Sequence, residues 1–171
     1  RSTPLYSSAA SDVYKRQLDK LVTLSAGVSV VWPENRRLQT VFAGIVRGAE
    51  LSPDGKTVAV YTMGGADPKA QLYLWDAAND QPPRLLDAGR HNVVGVCFSP
   101  DGHTLAVAGA DRRIHLANVA SGDELLTLSD EKELLRNLIF SKDGKQIRTF
   151  RVRANPAETR IVTWKVGGLY P

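Results

Sequence analysis

The sequence predicts an all-β protein built from repeated four-stranded antiparallel sheets. A turn with Ser, Asp and Gly at fixed positions recurs at residues 51–55, 98–102 and 140–144, so its copies lie 47 and 42 residues apart. Apolar runs flank each copy, as expected for the two strands of a hairpin. The third strands also align, at residues 72–76, 114–118 and 161–165. Similarity that returns at a near-constant interval indicates a repeat architecture.

Each recurring turn is predicted to be a tight hairpin. Proline presets the backbone at the second position of a type I turn, aspartate suits the third, and glycine accepts the left-handed angle that follows. Lys142 replaces proline in the third copy, which weakens the preset but keeps the turn. One copy alone would fit an isolated surface hairpin, whereas three copies favour a repeat. The structural residues of the turns are Asp54, Gly55, Asp101, Gly102, Asp143 and Gly144.

Four units follow one another along the chain. We expect units at about residues 18–43, 46–87, 90–128 and 131–166. The first unit has strands at 21–26, 28–32 and 38–42, but no Ser-Pro-Asp-Gly turn precedes them, so its beginning is expected to be lost. The fourth has strands at 134–140, 145–152 and 159–166. The complete units have strands at 48–52, 57–62, 71–75 and 83–86, and at 93–98, 104–108, 113–117 and 124–128.

Four short strands in every forty-odd residues are typical of a β-propeller. Residues 57–61 and 104–108 are apolar at successive positions, as expected for a sheet that neighbours cover on both faces. A two-layer sandwich, the alternative fold, would give cleaner alternation. Closed propellers have about 4–8 blades. Since this chain supplies roughly three and a half, we expect a fragment of a larger propeller, whose remaining blades would cover the apolar faces of its end blades.

The Trp-Asp dipeptide occurs literally at Trp75-Asp76, and the Gly-His dipeptide occurs with an inserted Arg90 before His91. With these dipeptides and the recurring turns, residues 18–171 resemble the WD-repeat propeller family, in its bacterial form. The family ties each blade with a hydrogen-bonded set of His, Asp, Ser or Thr, and Trp. The resemblance assigns His91 and Asp111 to the first two positions, while Ala108 and Ala117 take the others. It implies structural roles for Trp75, Asp76, His91, Asp111 and Trp164.

The composition fits about one globular domain. The chain has 171 residues, of which 43% are apolar and 23% charged. Its one cysteine excludes an internal disulfide. No run approaches the ~18 apolar residues of a membrane helix, and no secretion signal is visible. We therefore expect no membrane partner and favour the cytoplasm, although the true N-terminus is expected to be absent and the localisation is otherwise unknown.

The first seventeen residues look foreign to the fold. Residues 7–17, SSAASDVYKRQ, resemble the translation of a transposase-type sequencing adapter. We expect residues 1–17 to be an adapter-derived artefact and disordered, the alternative being a natural polar tail. They carry +2 of the formal net charge of +4. The remaining charge gives little reason to expect a nucleic-acid partner.

The sequence shows no catalytic motif, so we expect no enzyme, catalytic residue or cofactor. His91, His103 and His115 recur every twelve residues, which raises the possibility of a zinc site. The repeat places them before a first strand, in a hairpin turn and in a third strand. Zinc needs three or four ligands that converge on one point. We therefore expect structural or surface roles and no metal site.

The resemblance implies a non-catalytic scaffold that binds a protein or peptide. In WD-repeat propellers, the loops before the first strand and between the second and third strands share the face used for partners. Arginine there is a plausible anchor for an acidic segment. The alternative is a regulatory or substrate-gating propeller of a larger enzyme, such as a kinase or peptidase. The candidate partner-binding residues are Arg47, Lys69, Arg90, Arg112, Arg113 and Arg160.

Overall fold

A computed structural model describes the backbone of residues 15–17, 20–24, 27–32, 37–43, 46–62, 71–76, 82–86, 92–129, 135–151 and 160–166. Side chains are described for residues 46–62, 71–76, 82–86, 92–129, 137–149 and 161–166. These ranges contain fifteen strands and no helix. The all-β prediction is confirmed.

The strands form four antiparallel sheets, which we call blades 1 to 4. Within each blade, consecutive strands are neighbours. Blade 1 contains β1 (Lys15–Gln17), β2 (Lys20–Leu24), β3 (Gly27–Trp32) and β4 (Arg37–Ala43). Blade 2 contains β5 (Val46–Leu51), β6 (Thr57–Thr62), β7 (Leu72–Asp76) and β8 (Arg84–Leu86). Blade 3 contains β9 (Val93–Phe98), β10 (Thr104–Gly109), β11 (Arg113–Asn118) and β12 (Glu124–Ser129). Blade 4 contains β13 (Leu135–Phe140), β14 (Gln146–Arg151) and β15 (Arg160–Lys165).

The first strand of blade 1 comes from the segment that we expected to lie outside the fold. Lys15–Gln17 pair antiparallel with β2, in the register Lys15↔Val22 and Gln17↔Lys20. β1 is the first strand of this unit, whose beginning we expected to be lost because no Ser-Pro-Asp-Gly turn precedes the other strands. The adapter origin of residues 1–17 stays a prediction, and residues 1–14 lie outside the described part.

The blades lie side by side, with their first strands adjacent. The first strand of blade 3, β9, contacts β5 of blade 2 and β13 of blade 4, and β5 also contacts β1 and β2 of blade 1. In blades 2 to 4, the first strand is therefore the inner strand of its sheet. This arrangement is a partial β-propeller, in which sheets follow one another around an axis instead of facing each other in two layers.

Strand β10 has both of its faces buried between neighbouring blades. All six of its residues are buried. Leu105 and Val107 pack in a cluster with the blade 2 residues Ala59, Leu72, Leu74 and Leu86. Ala106 and Ala108 pack in a second cluster with the blade 4 residues Leu138, Phe140, Ile147 and Val166. Burial on both faces explains why this strand reads as an apolar run without alternation.

The three recurring turns share one hydrogen-bond pattern. In the β9–β10 turn, Gly102 N–H donates to Ser99 O at 2.9 Å, and Gly102 has a positive φ of 76°. Ser99 N–H also donates to Thr104 O at 2.8 Å, which closes the hairpin. The equivalent glycines Gly55 and Gly144 have φ of 70° and 71°. A side chain would be strained at this angle, so the turn selects glycine.

Candidate functional site

The strand directions divide the blade edges into two faces. The starts of first and third strands and the ends of second strands lie at one edge, which we call the loop face. The Ser-x-Asp-Gly turns and the ends of third strands lie at the opposite edge, the turn face.

The loop face brings together several of the predicted partner-binding residues. Arg47 near the start of β5, Arg112 before β11 and Arg113 at its first position have exposed side chains. Arg160 begins β15, where the backbone is described. Lys69 and Arg90 lie outside the described residues. The described members therefore occur on the same edge of blades 2, 3 and 4.

Arg112 occupies a backbone position that normally favours glycine. Its φ is 69°, and its N–H donates to Gly109 O at 3.2 Å. Asp111 Oδ1 accepts the N–H of Arg113 at 3.1 Å, as the turn aspartates accept the N–H two residues later. Arg112 thus stands where the Ser-x-Asp-Gly turns have glycine. A left-handed conformation costs a side-chain-bearing residue about 1–2 kcal/mol.

His115 on β11 is the centre of a polar network inside blade 3. It is 2% exposed. Its Nε2 lies 3.0 Å from Asp111 Oδ2, and its Nδ1 lies 3.3 Å from Glu124 Oε2 and 3.2 Å from Thr127 Oγ1. Thr127 Oγ1 also donates to Glu124 Oε1. The network joins the loop before β11 to the outer strand β12.

The sequence indicates a structural role for Asp111 but does not indicate His115 as its partner. His91, the expected partner, lies outside the described residues. The missed signal is a cross-strand one, since His115 pairs with Thr127 in the β11–β12 register. His103 is exposed on the turn face, away from buried His115. Among the described side chains, no group of three or more His, Cys, Asp and Glu residues could hold a metal ion.

The two tryptophans whose side chains are described lie at equivalent places on third strands. Trp75 on β7 is 2% exposed, and Trp164 on β15 packs partly buried against the cluster between blades 3 and 4. Asp76, which follows Trp75, is exposed at the turn face. These positions favour a packing role for the indoles over a role as ligand platforms.

The turn aspartates are held as carboxylates by their own turns. Asp54 accepts hydrogen bonds from Ser52 Oγ at 2.6 Å and Lys56 N–H at 3.0 Å, and the Ser52 bond is the main reason that its pKa lies below the ordinary value. Burial raises the pKa of Asp101, but bonds from Ser99 Oγ and His103 N–H outweigh it, and the net pKa is lowered. These turns therefore favour ionised aspartate.

Comparison with known proteins identifies the repeat. The family model described as the Anaphase-promoting complex subunit 4 WD40 domain matches residues 73–166, which is more than half of the chain. The chain belongs to the WD40-repeat family. The match runs from β7 to the residue after β15, so it covers the complete blade 3 and the three strands of blade 4.

Individual proteins are similar to parts of this chain, and in each of them the matched segment is a small part of the whole length. An uncharacterized WD repeat-containing protein of Synechocystis sp. is 31% identical over 106 residues, which are 62% of this chain and 29% of that protein. Protein Atg16l2 of Mus musculus is 35% identical over 113 residues, 63% of this chain and 17% of its own length. The probable serine/threonine-protein kinase PkwA of Thermomonospora curvata is 46% identical over 54 residues, 32% of this chain and 7% of the kinase. The chain thus spans less than a third of each relative.

Within the described ranges, the WD40 blades include no helix of the length and apolarity that crossing a membrane requires.

Proposed function

We propose that this chain is part of a non-catalytic scaffold whose loop face binds a protein or peptide. The observation that carries the proposal is the exposure of Arg47, Arg112 and Arg113 at one edge of adjacent blades. WD40 domains generally mediate protein–protein interactions, which supports this role. Any further blades would extend the same face. Which partner binds there would depend on the loops of all the blades.

The chemistry of the loop face fits an acidic segment. Guanidinium groups present several donors in a planar fork that matches a carboxylate, and arginine is enriched among the residues that dominate binding energy. Arg112 and Arg113 follow Asp111, whose carboxylate holds the loop through Arg113 N–H and His115. The backbone that carries both arginines is therefore fixed before a partner arrives, which lowers the entropy lost on binding.

Charge reversal tests this proposal. The Arg112→Glu/Arg113→Glu double variant of the full chain should lose specific partners in quantitative affinity purification, because glutamate repels an acidic segment. Arg112→Gly removes one guanidinium, and glycine suits the left-handed backbone at this position. Weaker partner binding by this variant would therefore come from the lost guanidinium and not from a distorted loop. Lys142→Glu, an exposed charge reversal on the turn face, is the matched control and should keep those partners. An unchanged partner set with the double variant would eliminate the loop face.

A second candidate is a regulatory or substrate-gating propeller within a larger enzyme. The observation that favours it is the 46% identity over 54 residues to the probable kinase PkwA. The reading frame of the whole gene discriminates between the two candidates. Kinase or peptidase motifs in the same reading frame would favour the regulatory propeller, whereas further blades alone would favour the scaffold.

A further inference from the structure

A cleft of about 460 Å³ opens on the turn face between blades 2 and 3. Blade 2 contributes the β5–β6 turn, the end of β7 and the start of β8, and blade 3 contributes the β9–β10 turn and the residues after β11. Its volume falls within the range of ligand pockets, about 300–1,000 Å³. The cleft lies at the opposite edge from the arginines of the loop face.

The cleft combines an apolar wall with a rim of carboxylates. Leu74, Pro82 and Val119 supply apolar surface. Asp54 and Asp76 from blade 2 and Asp101 from blade 3 supply the acidic groups. A long basic side chain has this same division, since an apolar stem carries a charged head.

The two turn aspartates direct charge toward the cleft from fixed positions. Each uses its Oδ1 to accept hydrogen bonds inside its own turn. The second oxygen of Asp54 has a weak contact at 4.0 Å with Lys56 Nζ. For Asp101 Oδ2, no hydrogen bond or ion pair with the described residues is found. These carboxylates are therefore preorganised and keep capacity for a cation.

The guanidinium in the cleft wall is already engaged. Arg84 Nη2 donates to Val119 O at 2.6 Å, across the boundary between the two blades. A Cβ on Gly122 would stand 2.8 Å from Arg84 Nη1, so the guanidinium lies closely against the β11–β12 turn. Arg84 thus closes one side of the cleft.

We propose that this cleft binds a lysine or arginine side chain from a basic, extended segment of a partner protein. The stem would lie along Leu74, Pro82 and Val119, and the charged head would meet Asp54 and Asp101. The partner has the opposite charge from the one proposed for the loop face. A WD40 scaffold with both sites would hold an acidic and a basic segment on opposite edges.

Titration of the full chain with a fluorescein-labelled Gly-Ser-Arg-Gly-Lys-Gly-Ser peptide tests the cleft. Saturable binding that weakens as salt is raised is expected, because the contacts are exposed ion pairs. Asp54→Asn and Asp101→Asn should each weaken binding about twofold to fivefold, the range for such pairs. Asp143→Asn is the matched control, since Asp143 makes the same turn bonds outside the cleft. It should leave the affinity unchanged.

A second peptide, in which citrulline and acetyl-lysine replace the two basic residues, gives a reading that needs no protein variant. It should bind at least several-fold more weakly to the unaltered chain. Equal binding of the two peptides, equal loss with Asp143→Asn, or no saturable binding would each overturn the cleft proposal. The Arg112→Glu/Arg113→Glu variant should keep the basic peptide, so failure of one face is distinguishable from failure of the other.

Discussion

Replacing Ser99 with alanine should destabilise the protein much more than the same change at Ser141. Ser99 Oγ accepts the N–H of Thr104 at 2.9 Å and donates to Asp101 Oδ1 at 2.5 Å. Ser99 is 0% exposed and Thr104 is 3% exposed, so water cannot replace the lost oxygen. A buried donor left without a partner costs about 1–3 kcal/mol, and the lost bond to a charged group adds about 1.5–3. With partial relaxation, we expect a loss of about 2–4 kcal/mol for Ser99→Ala.

Ser141→Ala is the matched comparison within the same chain. Ser141 Oγ donates to Asp143 Oδ1 at 2.5 Å and accepts the N–H of Gln146 at 3.0 Å. Ser141 and Gln146 are half-buried, so water can take over both bonds. We expect this variant to lose about 1 kcal/mol or less.

Urea unfolding of the two variants, followed by tryptophan fluorescence, measures the difference. With a slope of about 2 kcal/mol per molar urea, Ser99→Ala should lower the midpoint by about 1–2 M and Ser141→Ala by about 0.5 M or less. Equal shifts would refute the reasoning, because they would mean that burial of the turn does not set the cost. A negligible shift for Ser99→Ala would show that Thr104 N–H finds another partner.

Three further expectations concern acidity, loop strain and packing. The folded pKa values of Asp54, Asp101 and Asp143 lie below the ordinary 3.8. Their contribution to stability is therefore present above that pH and is lost as the pH falls through the lowered folded values. Urea midpoints measured from pH 6 to pH 2.5 should drop in the acid range, and they should drop less steeply for the Asp54→Asn/Asp101→Asn/Asp143→Asn variant. Arg112→Gly should raise the free energy of unfolding by up to about 1 kcal/mol because it relieves a left-handed side chain; a melting temperature that falls instead would contradict this. Ala106→Leu should lower the free energy of unfolding by about 1–3 kcal/mol, since Ala106 is 0% exposed between blades 3 and 4, and calorimetry that shows no loss would reveal unfilled space there.

Much of the fold could be predicted because its signals are local. An Asp-Gly pair identifies each hairpin in the sequence, and the structure places each of these glycines at a φ near 70°. The apolar run of β10 indicates that other blades cover both faces of the strand. The β1 strand was not foreseen. Lys15, Arg16 and Gln17 carry no strand signal, and their pairing with β2 depends on the chain that follows.

The candidate sites were less accessible from sequence. Contact between His115 and Glu124 depends on a register shift between Leu116 and Ala117, which the sequence does not reveal. The cleft depends on how two blades sit beside each other, so Asp54 and Asp101, 47 residues apart, could be read only as turn residues. Exposed arginines on the loop face could be expected because strand alternation alone decides which edge a loop occupies.

The double burial of β10 bears on how such a repeat can change during gene duplication. Its alternate positions serve different seams, with Leu105 and Val107 facing the preceding unit and Ala106 and Ala108 facing the following one. A duplicated unit inserted beside blade 3 would have to suit small residues on one side and large ones on the other. One unit can therefore replace another only if its side chains match the volumes of those in the neighbouring blades. Each replacement has to satisfy this condition at two blade–blade contacts at once.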